Sequence, residues 1–427
     1  MSARTLARRS LVCGSAAAIG GVFLGCNDRR IPPGRTGVSL WFTYGGRNRE
    51  VLEKLVQAFN TAQNRYYVHG VFQGDYFEGL AKLRTAIAAR AAPALSHVVG
   101  EVIPYLAEAG VLEPLASYPG AAELDLIPEL AQQKSWVGGD AHPLVCLPFN
   151  RSTPIAYLNG EIFARAKLEP PTTWDELRQT ARALTLKSGD QVQRYGFGCP
   201  ISWWFWVALV GQAGGEVVER DGTVSLGGEA GVRAIQFWQT LVADGSMKPP
   251  PGRDYNAWEA TNQDYLAGRA AMIWTSTAFL KYLEDNARFP VVAARLPRDR
   301  RFAVPTGGTH WVMVRGAPAE EKAAAWEFLR FMHEPEQAMA WATRTGYMPV
   351  TRSAIGRLER EGYYAKHPND RIAVDQLAVA MPWPWSPTLF RVQQEIVQPR
   401  LESAVFSKKD ARAVLDQARA LANRSLG

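Results

Sequence analysis

Two clusters of indole side chains give this sequence its clearest chemical signal: Ser-Trp-Trp-Phe-Trp at 202–206 and Trp-Pro-Trp at 383–385. A sugar ring has apolar C–H faces and a rim of hydroxyls, so proteins bind it with flat aromatic rings and short polar groups. Prolines restrict the backbone of the second cluster and reduce the entropy lost on binding. We predict that Trp203 and Trp385 stack on a ligand. The other two indoles of the first cluster either do the same or pack in the core.

Three further positions offer polar groups where a ligand can reach them. Tyr347 lies in a predicted turn, and its ring and hydroxyl suit the floor of a cleft as well as ordinary packing. Gly307-Gly308 allows backbone N–H groups to approach a ligand closely. Glu101 follows a strand predicted at 95–99, and open α/β sheets bind ligands at the carboxyl ends of their strands. Its carboxylate can pair with an amino-sugar ammonium or accept hydrogen bonds from two hydroxyls.

The histidines and cysteines do not predict a metal site or a bound cofactor. The six histidines are scattered and no Cys-x-x-Cys pair is present. We expect His97 and His310 to be structural. Cys146 and Cys199 either form a disulfide in an oxidising compartment or remain buried as small hydrophobic side chains.

The N-terminal segment 1–26 resembles a bacterial export signal. Its Arg-Arg pair at 8–9 is similar to a twin-arginine signal, and the apolar run 11–25 is too short for a permanent membrane helix. The run ends at Cys26, which resembles the acylated cysteine of a lipobox. An ordinary cleaved signal is the alternative, and the polar segment 27–36 is predicted to be a tether in either case.

The composition predicts a large globular protein with no nucleic-acid partner. Residues 1–36 carry five of the seven net positive charges, so the remainder is nearly neutral and shows no basic footprint. The hydrophobic fraction is 47%, and the length suffices for two domains with full cores.

The spacing of apolar residues predicts alternating strands and helices. Strands are expected at 38–42, 66–71 and 95–99, with helices at 51–59 and 80–87 between them. Such alternation with short connections indicates a parallel sheet covered by helices on both faces. Further elements are predicted in the second half, namely helices from 174, at 231–243 and at 323–332, and strands at 271–274 and 312–314.

Five short strings occur in a characteristic order along almost the whole chain. They are the helix at 50–59 with its following strand, Leu-Pro-Phe-Asn-Arg-Ser-Thr-Pro with Tyr-Leu-Asn at 147–159, Trp-Asp-Glu-Leu at 174–177, Leu-Ala-Gly-Arg-Ala-Ala-Met at 266–272, and Thr-Gly-Tyr-Met-Pro-Val at 345–350. In this order the strings resemble the extracellular sugar-binding proteins of bacterial ABC importers.

This resemblance implies an α/β fold of the two-lobed periplasmic-binding-protein type (a class II clamshell), with about three hinge crossings between the lobes. It assigns 37–150 and 273–335 to the first lobe. It assigns 151–272 and 336–427 to the second lobe.

The pattern is nearest to the subgroup that binds glycerol 3-phosphate and glycerophosphodiesters. The shared strings are Gly-Asp-Tyr at 74–76, Ser-Thr-Pro at 152–154, Gly-Gly at 307–308 and Gly-Tyr at 346–347. The resemblance implies that the ligand contacts a set of aromatic, hydroxyl and glycine residues, namely Tyr76, Ser152, Trp203, Ser276, Gly307 or Gly308, and Tyr347.

One departure from that subgroup concerns the charge that would hold a phosphate. The subgroup has an arginine in its C-terminal part, and Ser386 stands near the corresponding place in this chain. Arg391 lies a few residues later and reaches the phosphate only if the register shifts. The sequence offers indoles where a desolvated guanidinium is expected.

The resemblance implies that the chain binds a carbohydrate, an amino sugar included, and passes it to the membrane permease subunits of an ABC importer. It also implies a lipid-anchored extracytoplasmic monomer without catalytic activity. A glycerophosphodiester ligand held by Arg391 is the alternative. An exported cell-wall glycosidase is a third interpretation, although the sequence has neither a Gly-x-Ser-x-Gly nor a His-Glu-x-x-His motif.

Overall fold

The computed structural model of this chain describes residues 31–131, 136–137, 141–219, 222–251 and 254–424. The predicted export signal, its Cys26 and residues 27–30 of the tether therefore lie outside the described residues.

The strands are numbered here in chain order. They are β1 Thr36–Phe42, β2 Tyr66–Phe72, β3 Leu95–Val99, β4 Trp136–Val137, β5 Leu147–Ser152, β6 Pro154–Asn159, β7 Leu186–Ser188, β8 Gln191–Gly198, β9 Ala270–Ser276, β10 Val291–Ala294, β11 Val304–Pro305, β12 Gly307–Met313, β13 Ala380–Met381 and β14 Trp383–Pro384.

The helices follow the same convention. They are α1 Gly46–Ala62, α2 Tyr76–Ala88, α3 Ile103–Glu108, α4 Gly160–Ala166, α5 Trp174–Leu184, α6 Trp203–Gln212, α7 Gly228–Ala243, α8 Asp254–Leu266, α9 Leu280–Asn286, α10 Ala319–Met332, α11 Pro335–Thr345, α12 Arg352–Arg360, α13 Tyr363–Lys366, α14 Pro368–Asp375, α15 Leu389–Arg391, α16 Gln398–Phe406 and α17 Ala411–Arg424. A π-helical stretch, Val392–Val397, joins α15 to α16.

The first sheet has the strand order β2-β1-β3-β12-β5. Strand β1 pairs with β2 and β3 in parallel, whereas β12 runs antiparallel to its neighbours β3 and β5. Strand β5 is therefore parallel to β3, and both strands end at the same edge of the sheet. Helices cover both faces, because α1 and α10 contribute buried side chains to one apolar cluster and α2 and α3 to another.

The second sheet has the order β10-β6-β9-β8-β7. Helix α5 packs on β8 and starts at the predicted capping box, in which Thr173 and Glu176 satisfy each other's backbone N–H groups. Such caps stabilise a helix by about 0.5–2 kcal/mol. The apolar side chains of α6 and α7 complete the core of this lobe.

The chain crosses between the two sheets at segments where a strand of one sheet leads almost directly into the other. Strand β5 of the first sheet ends at Ser152, and β6 of the second begins at Pro154. The next crossing follows β11 and enters β12 at Gly307. The third crossing lies between α11, which packs on α1, and α16, which packs on α7.

These crossings correct the predicted lobe boundaries. Strand β9 pairs with β6 as far as Ser276, so 273–276 belongs to the second sheet and not to the first lobe. The return to the first lobe occurs at 305–307 instead of 272–273. Helix α11 lies in the first lobe although 336–345 was assigned to the second. The sequence strings mark local patterns, but strand pairing decides where the chain changes lobe.

Two further expectations concern the cysteines and membrane-spanning segments. Cys146 and Cys199 are both buried and do not form a disulfide. Among the described helices, none combines the length and the apolar character needed to cross a bilayer.

Candidate functional site

The carboxyl edge of the first sheet faces the second lobe, and the space between them is called the cleft below. Strands β3 and β5 both end at this edge, and β12 begins there. Only Thr153 separates β5 from β6, so the end of the first sheet lies directly against the start of the second. The cleft is thus bounded by the crossing segments 152–154 and 305–307.

Tyr76 and Tyr347 meet at this edge although they are far apart in the sequence. Asp75 caps α2 by accepting hydrogen bonds from the N–H groups of the next turn, which fixes Tyr76 as the first residue of the helix. The hydroxyl oxygens of Tyr76 and Tyr347 are 3.2 Å apart. The backbone N–H of Met348 donates to the carbonyl of Arg151 at 2.8 Å and so ties the Tyr347 turn to β5.

A chain of buried hydrogen bonds supports the tyrosine pair from below. Asn150 donates from Nδ2 to the hydroxyl oxygen of Tyr76 at 3.0 Å. Its Oδ1 accepts the backbone N–H of Thr309 at 2.7 Å and also accepts from the Thr309 hydroxyl. The amide orientation of Asn150 is therefore fixed by the backbone of β12, and Asn150 in turn orients Tyr76.

His97 forms the base of this chain. Its Nε2 accepts the N–H of Thr43 at 3.2 Å, so the ring proton is assigned to Nδ1, which lies 2.9 Å from Oγ1 of Thr309. Burial lowers the pKa of His97 to about 3, and the ring stays neutral. The structural role expected for His97 agrees with this geometry.

Glu101 and Arg151 place titratable groups beside the tyrosines. Glu101 lies in the 3₁₀ turn that follows β3, at the predicted strand end. Burial raises the pKa of Glu101, and a backbone hydrogen bond and Arg151 partly offset that effect. Arg151 is 1% exposed and donates from Nη2 to Oγ1 of Thr306 at 2.7 Å. Tyr76, Glu101, Asn150, Arg151 and Tyr347 are called the polar wall below.

Two indoles from distant parts of the chain meet at the second crossing segment. Nε1 of Trp204 and Nε1 of Trp383 both donate to the carbonyl oxygen of Thr306, at 3.3 Å and 2.9 Å. The hydroxyl of the same Thr306 accepts a hydrogen bond from Arg151. Thr306 therefore contacts both indole rings and the guanidinium. Trp204, Trp383 and Trp385 are called the aromatic wall below.

Trp203 does not occupy the position that its predicted stacking role requires, and the neighbouring Trp204 does. Trp203 is 1% exposed, and its ring lies 5.5 Å from that of Trp206 in the core of the second lobe. Residues three apart share a helix face, so Trp203 and Trp206 point inward together. Trp204 is rotated by about 100° from them and faces Gly307.

Trp385, the other indole predicted to stack on a ligand, is half-buried. It is partly buried against the core, and its ring stacks on His142 with centroids 4.1 Å apart. Strand β14, just before it, pairs with β4 and holds the segment in place. Its role in binding remains a prediction.

The two glycines at the start of β12 have packing reasons in this structure. A Cβ on Gly307 would come 2.7 Å from the ring of Trp204. Gly308 has φ +91°, and a Cβ there would come 1.8 Å from the carbonyl oxygen of Asn150. Their small size therefore lets the aromatic and polar walls approach each other, whereas the predicted backbone contact with ligand remains a prediction.

The predicted serines both lie at the crossing. Ser152 ends β5 and pairs with Gly307. Ser276 pairs with Pro154 and caps the following 3₁₀ turn by accepting the N–H of Ala278 at 3.2 Å. Ser276 thus has the local capping role that is common for serine.

Arg391 does not match the desolvated cation that a phosphate requires. Its side chain is exposed on α15. Neighbouring Phe390 lies 6.1 Å from Phe77 of α2, so this segment contacts the first lobe at its surface. The structure instead places a buried guanidinium at Arg151, which the sequence interpretation missed. A single arginine within the otherwise uncharged and fully buried run from Leu147 to Asn159 was the available signal.

No group of three or more His, Cys, Asp or Glu side chains suited to a metal ion occurs in the described part of the chain.

Comparison with known proteins identifies relatives of this arrangement. The model of the bacterial extracellular solute-binding protein family matches residues 54–366. The sn-glycerol-3-phosphate-binding periplasmic protein UgpB of Salmonella typhimurium is 27% identical over 414 residues, which cover 90% of this chain and 91% of that protein.

Solved structures show the same fold. UgpB from Mycobacterium tuberculosis in complex with glycerophosphocholine superposes with a TM-score of 0.79 at 21% identity, covering 91% of this chain and 98% of that one. The GacH receptor of Streptomyces glaucescens, solved unliganded and with acarbose, gives 0.80 at 18% identity with the same coverage of both chains. The predicted two-lobed periplasmic-binding-protein fold is therefore confirmed.

Proposed function

This chain belongs to the family of bacterial extracellular solute-binding proteins and acts as the substrate-binding component of an ABC importer; we propose that it captures a carbohydrate in the cleft. The observation that carries the proposal is the meeting of Trp204 and Trp383 on the carbonyl of Thr306. Trp204 and Trp385 are only partly buried and supply flat apolar surfaces at the point where the two lobes join, whereas Trp383 is 5% exposed and packs in the core.

The two walls suit the two kinds of surface that a sugar presents. Indole rings pack against apolar C–H faces, and Thr306 already accepts the N–H groups of Trp204 and Trp383. Tyr76 and Tyr347 offer hydroxyls to the rim of the ring. Burial raises the pKa of Tyr76, which keeps its hydroxyl protonated at neutral pH.

Capture follows from the crossings between the lobes. Hinge closure around a ligand is the general mode of periplasmic binding proteins. A ligand that touches both walls binds the closed form better than an open one and shifts the population toward it. The closed form then docks on the permease subunits, and the chain itself catalyses no reaction.

The N-terminal segment completes the proposal. A lipid on Cys26 would hold the protein, as a monomer, on the outer side of the cell membrane after export through the twin-arginine route. Replacing the arginine pair at 8–9 by lysines should stop export, and Cys26→Ala should release the protein from the membrane fraction. Export of the lysine variant, or membrane retention of the alanine variant, contradicts this part.

The ligand class is tested by a thermal-shift screen of the purified protein with neutral sugars, amino sugars, acidic sugars and glycerophosphodiesters. We expect a concentration-dependent rise of the unfolding midpoint for at least one class, since a ligand stabilises the state that it binds. No shift with any class contradicts capture of a polyhydroxylated ligand. Turnover of an oligosaccharide in the same samples favours the glycosidase interpretation.

A glycerophosphodiester is the second candidate ligand, and one observation favours it. Arg151 brings a buried cation to the cleft, so the missing C-terminal arginine does not leave the site without positive charge.

A further inference from the structure

Arg151 combines deep burial with unused hydrogen-bonding capacity. Its side chain lies at the end of β5 and is 1% exposed. Nη2 donates to Thr306, but Nε and Nη1 have no hydrogen-bond partner among the described residues. The guanidinium therefore holds three N–H donors that no protein group satisfies.

No acidic side chain in the described ranges forms a direct ion pair with this cation. No ion pair within 4.0 Å joins Arg151 to an acidic side chain in the described ranges, and Glu101 is the carboxyl group in electrostatic contact with it. Burial favours the neutral form of Glu101, and Cys146 and His310 nearby are buried and uncharged. Burial lowers the pKa of Arg151 only to about 10, so it remains a cation at neutral pH.

Such a group is costly for the fold on its own. A buried charge that lacks a direct ion-pair partner destabilises a protein, as the breaking of a buried ion pair does. We infer that the unsatisfied N–H donors of Arg151 are available to a bound ligand. The same logic explains why buried, unsatisfied groups concentrate at binding sites.

The position of Arg151 shows where that partner would sit. Gly308 is opposite Arg151 in the β12–β5 pairing, and Thr306 connects the guanidinium to the indoles of Trp204 and Trp383. The open donors therefore lie at the junction of the polar and aromatic walls. A ligand stacked on Trp204 would bring a substituent of its ring or chain close to them.

We propose that Arg151 binds an oxyanion of the ligand, and that the cleft selects a sugar or polyol that carries a carboxylate or a phosphate ester. This inference rests on the proposed capture function and names the ligand class within it. A planar guanidinium matches both anions through paired N–H···O contacts. This proposal replaces the expectation of a neutral or amino sugar. The cation that holds the ligand is then Arg151 on β5 and not Arg391 on α15.

The test uses purified full-length protein and isothermal titration with six probes: D-glucose, D-glucosamine, D-glucuronate, D-glucose 6-phosphate, sn-glycerol 3-phosphate and glycerophosphocholine. Anionic probes should bind more tightly than D-glucose or D-glucosamine. Comparing the affinity for D-glucuronate with the affinities for the three phosphate probes distinguishes a carboxylate ligand from a phosphate ester. Arg151→Met should weaken the best anionic probe by about 10- to 100-fold, since hydrogen bonds to charged groups are the strong ones.

Stability measurements separate this role from a structural one. If Arg151 serves a ligand, Arg151→Met removes an unpaired buried charge and the ligand-free variant should unfold at the same or a higher temperature than the wild type. Arg151→Lys keeps the charge without the planar fork and should lose about 10-fold in affinity. Arg360→Met, an exposed change on α12, is the matched control and should alter neither value.

The remaining outcomes each contradict a specific statement. Equal binding of an anionic probe by wild type and Arg151→Met overturns the role of Arg151, as does a loss seen with Arg391→Met alone. Tight binding of neutral sugars in both proteins leaves the capture function intact but removes the proposed anion. Failure of every probe to bind counts against the capture function and, with it, this inference.

Discussion

The polar and aromatic walls of the cleft are built in different ways. A chain of buried hydrogen bonds holds the polar wall in place. It links His97 to Thr309, Thr309 to Asn150, and Asn150 to Tyr76. The aromatic wall consists of rings that rely mainly on packing, and two of them, Trp204 and Trp383, share the acceptor Thr306. The polar wall therefore depends on directional contacts, while the aromatic wall tolerates small displacements.

The largest expected effect separates two adjacent tryptophans. Trp203→Ala leaves a large cavity in the second lobe and should lower the free energy of unfolding by about 3–5 kcal/mol. Trp204→Ala should cost less stability but about 1–3 kcal/mol of ligand affinity, because that ring borders the cleft. Chemical denaturation and titration calorimetry on both variants measure the two quantities. The reverse pattern would return Trp203 to the binding surface.

The next effect concerns the close approach of β12 to β5. Gly308→Ala places a Cβ against the carbonyl of Asn150 at a left-handed backbone position and should destabilise the protein by about 2–3 kcal/mol. Gly316→Ala has open space around the new Cβ and serves as the control. An equal midpoint of denaturation for both variants would show that the polar wall does not depend on this contact.

The base of the polar wall predicts an acid-sensitive fold. Burial lowers the pKa of His97 to about 3 in the folded protein. In the unfolded chain the same ring binds a proton near pH 6.5, whereas in the folded protein it stays neutral at that pH. Stability is thus fully present above that pH and falls as the pH decreases. His97 alone should remove about 2 kcal/mol between pH 7 and pH 5, and His310 and His333 act with the same sign.

Denaturation at several pH values measures this slope. His97→Gln should flatten it. An identical slope in wild type and His97→Gln would remove His97 from the explanation.

The smallest effect is expected at the outer end of the polar wall. Tyr347→Phe removes one hydroxyl and keeps the ring stacked on Trp341 at 5.7 Å. Affinity for the ligand should fall by about 0.5–1.5 kcal/mol, the usual net value of one hydrogen bond, with little change in stability. Titration calorimetry that finds unchanged affinity would exclude this hydroxyl from binding.

Local signals predicted much of the fold. Strand β1, helix α1 and the capping box of α5 follow from residue spacing and from caps that act within a few residues. The crossing at 305–307 could not be predicted in this way, because it depends on which strands pair, and β9 remains with β6 up to Ser276.

The site shows the same limit. The indole clusters indicated the aromatic wall, but the choice between Trp203 and Trp204 depends on where α6 begins, and the ring next to its N-cap turns inward. Asn150 and Arg151 lie within the quoted string at 147–159, but that string assigned no role to either residue. Their partners Thr309 and Thr306 are distant in sequence, and only the pairing of β5 with β12 brings them together.

The central claim is that one ligand contacts both walls. Hydrogen–deuterium exchange tests it most directly, measured with and without the ligand that gives the largest shift in the thermal-shift screen. We predict slower exchange in the ligand complex at 76–83 and 147–152 and, in the same sample, at 203–212 and 383–391. Protection confined to one of these two sets, or located elsewhere in the protein, would contradict capture between the walls.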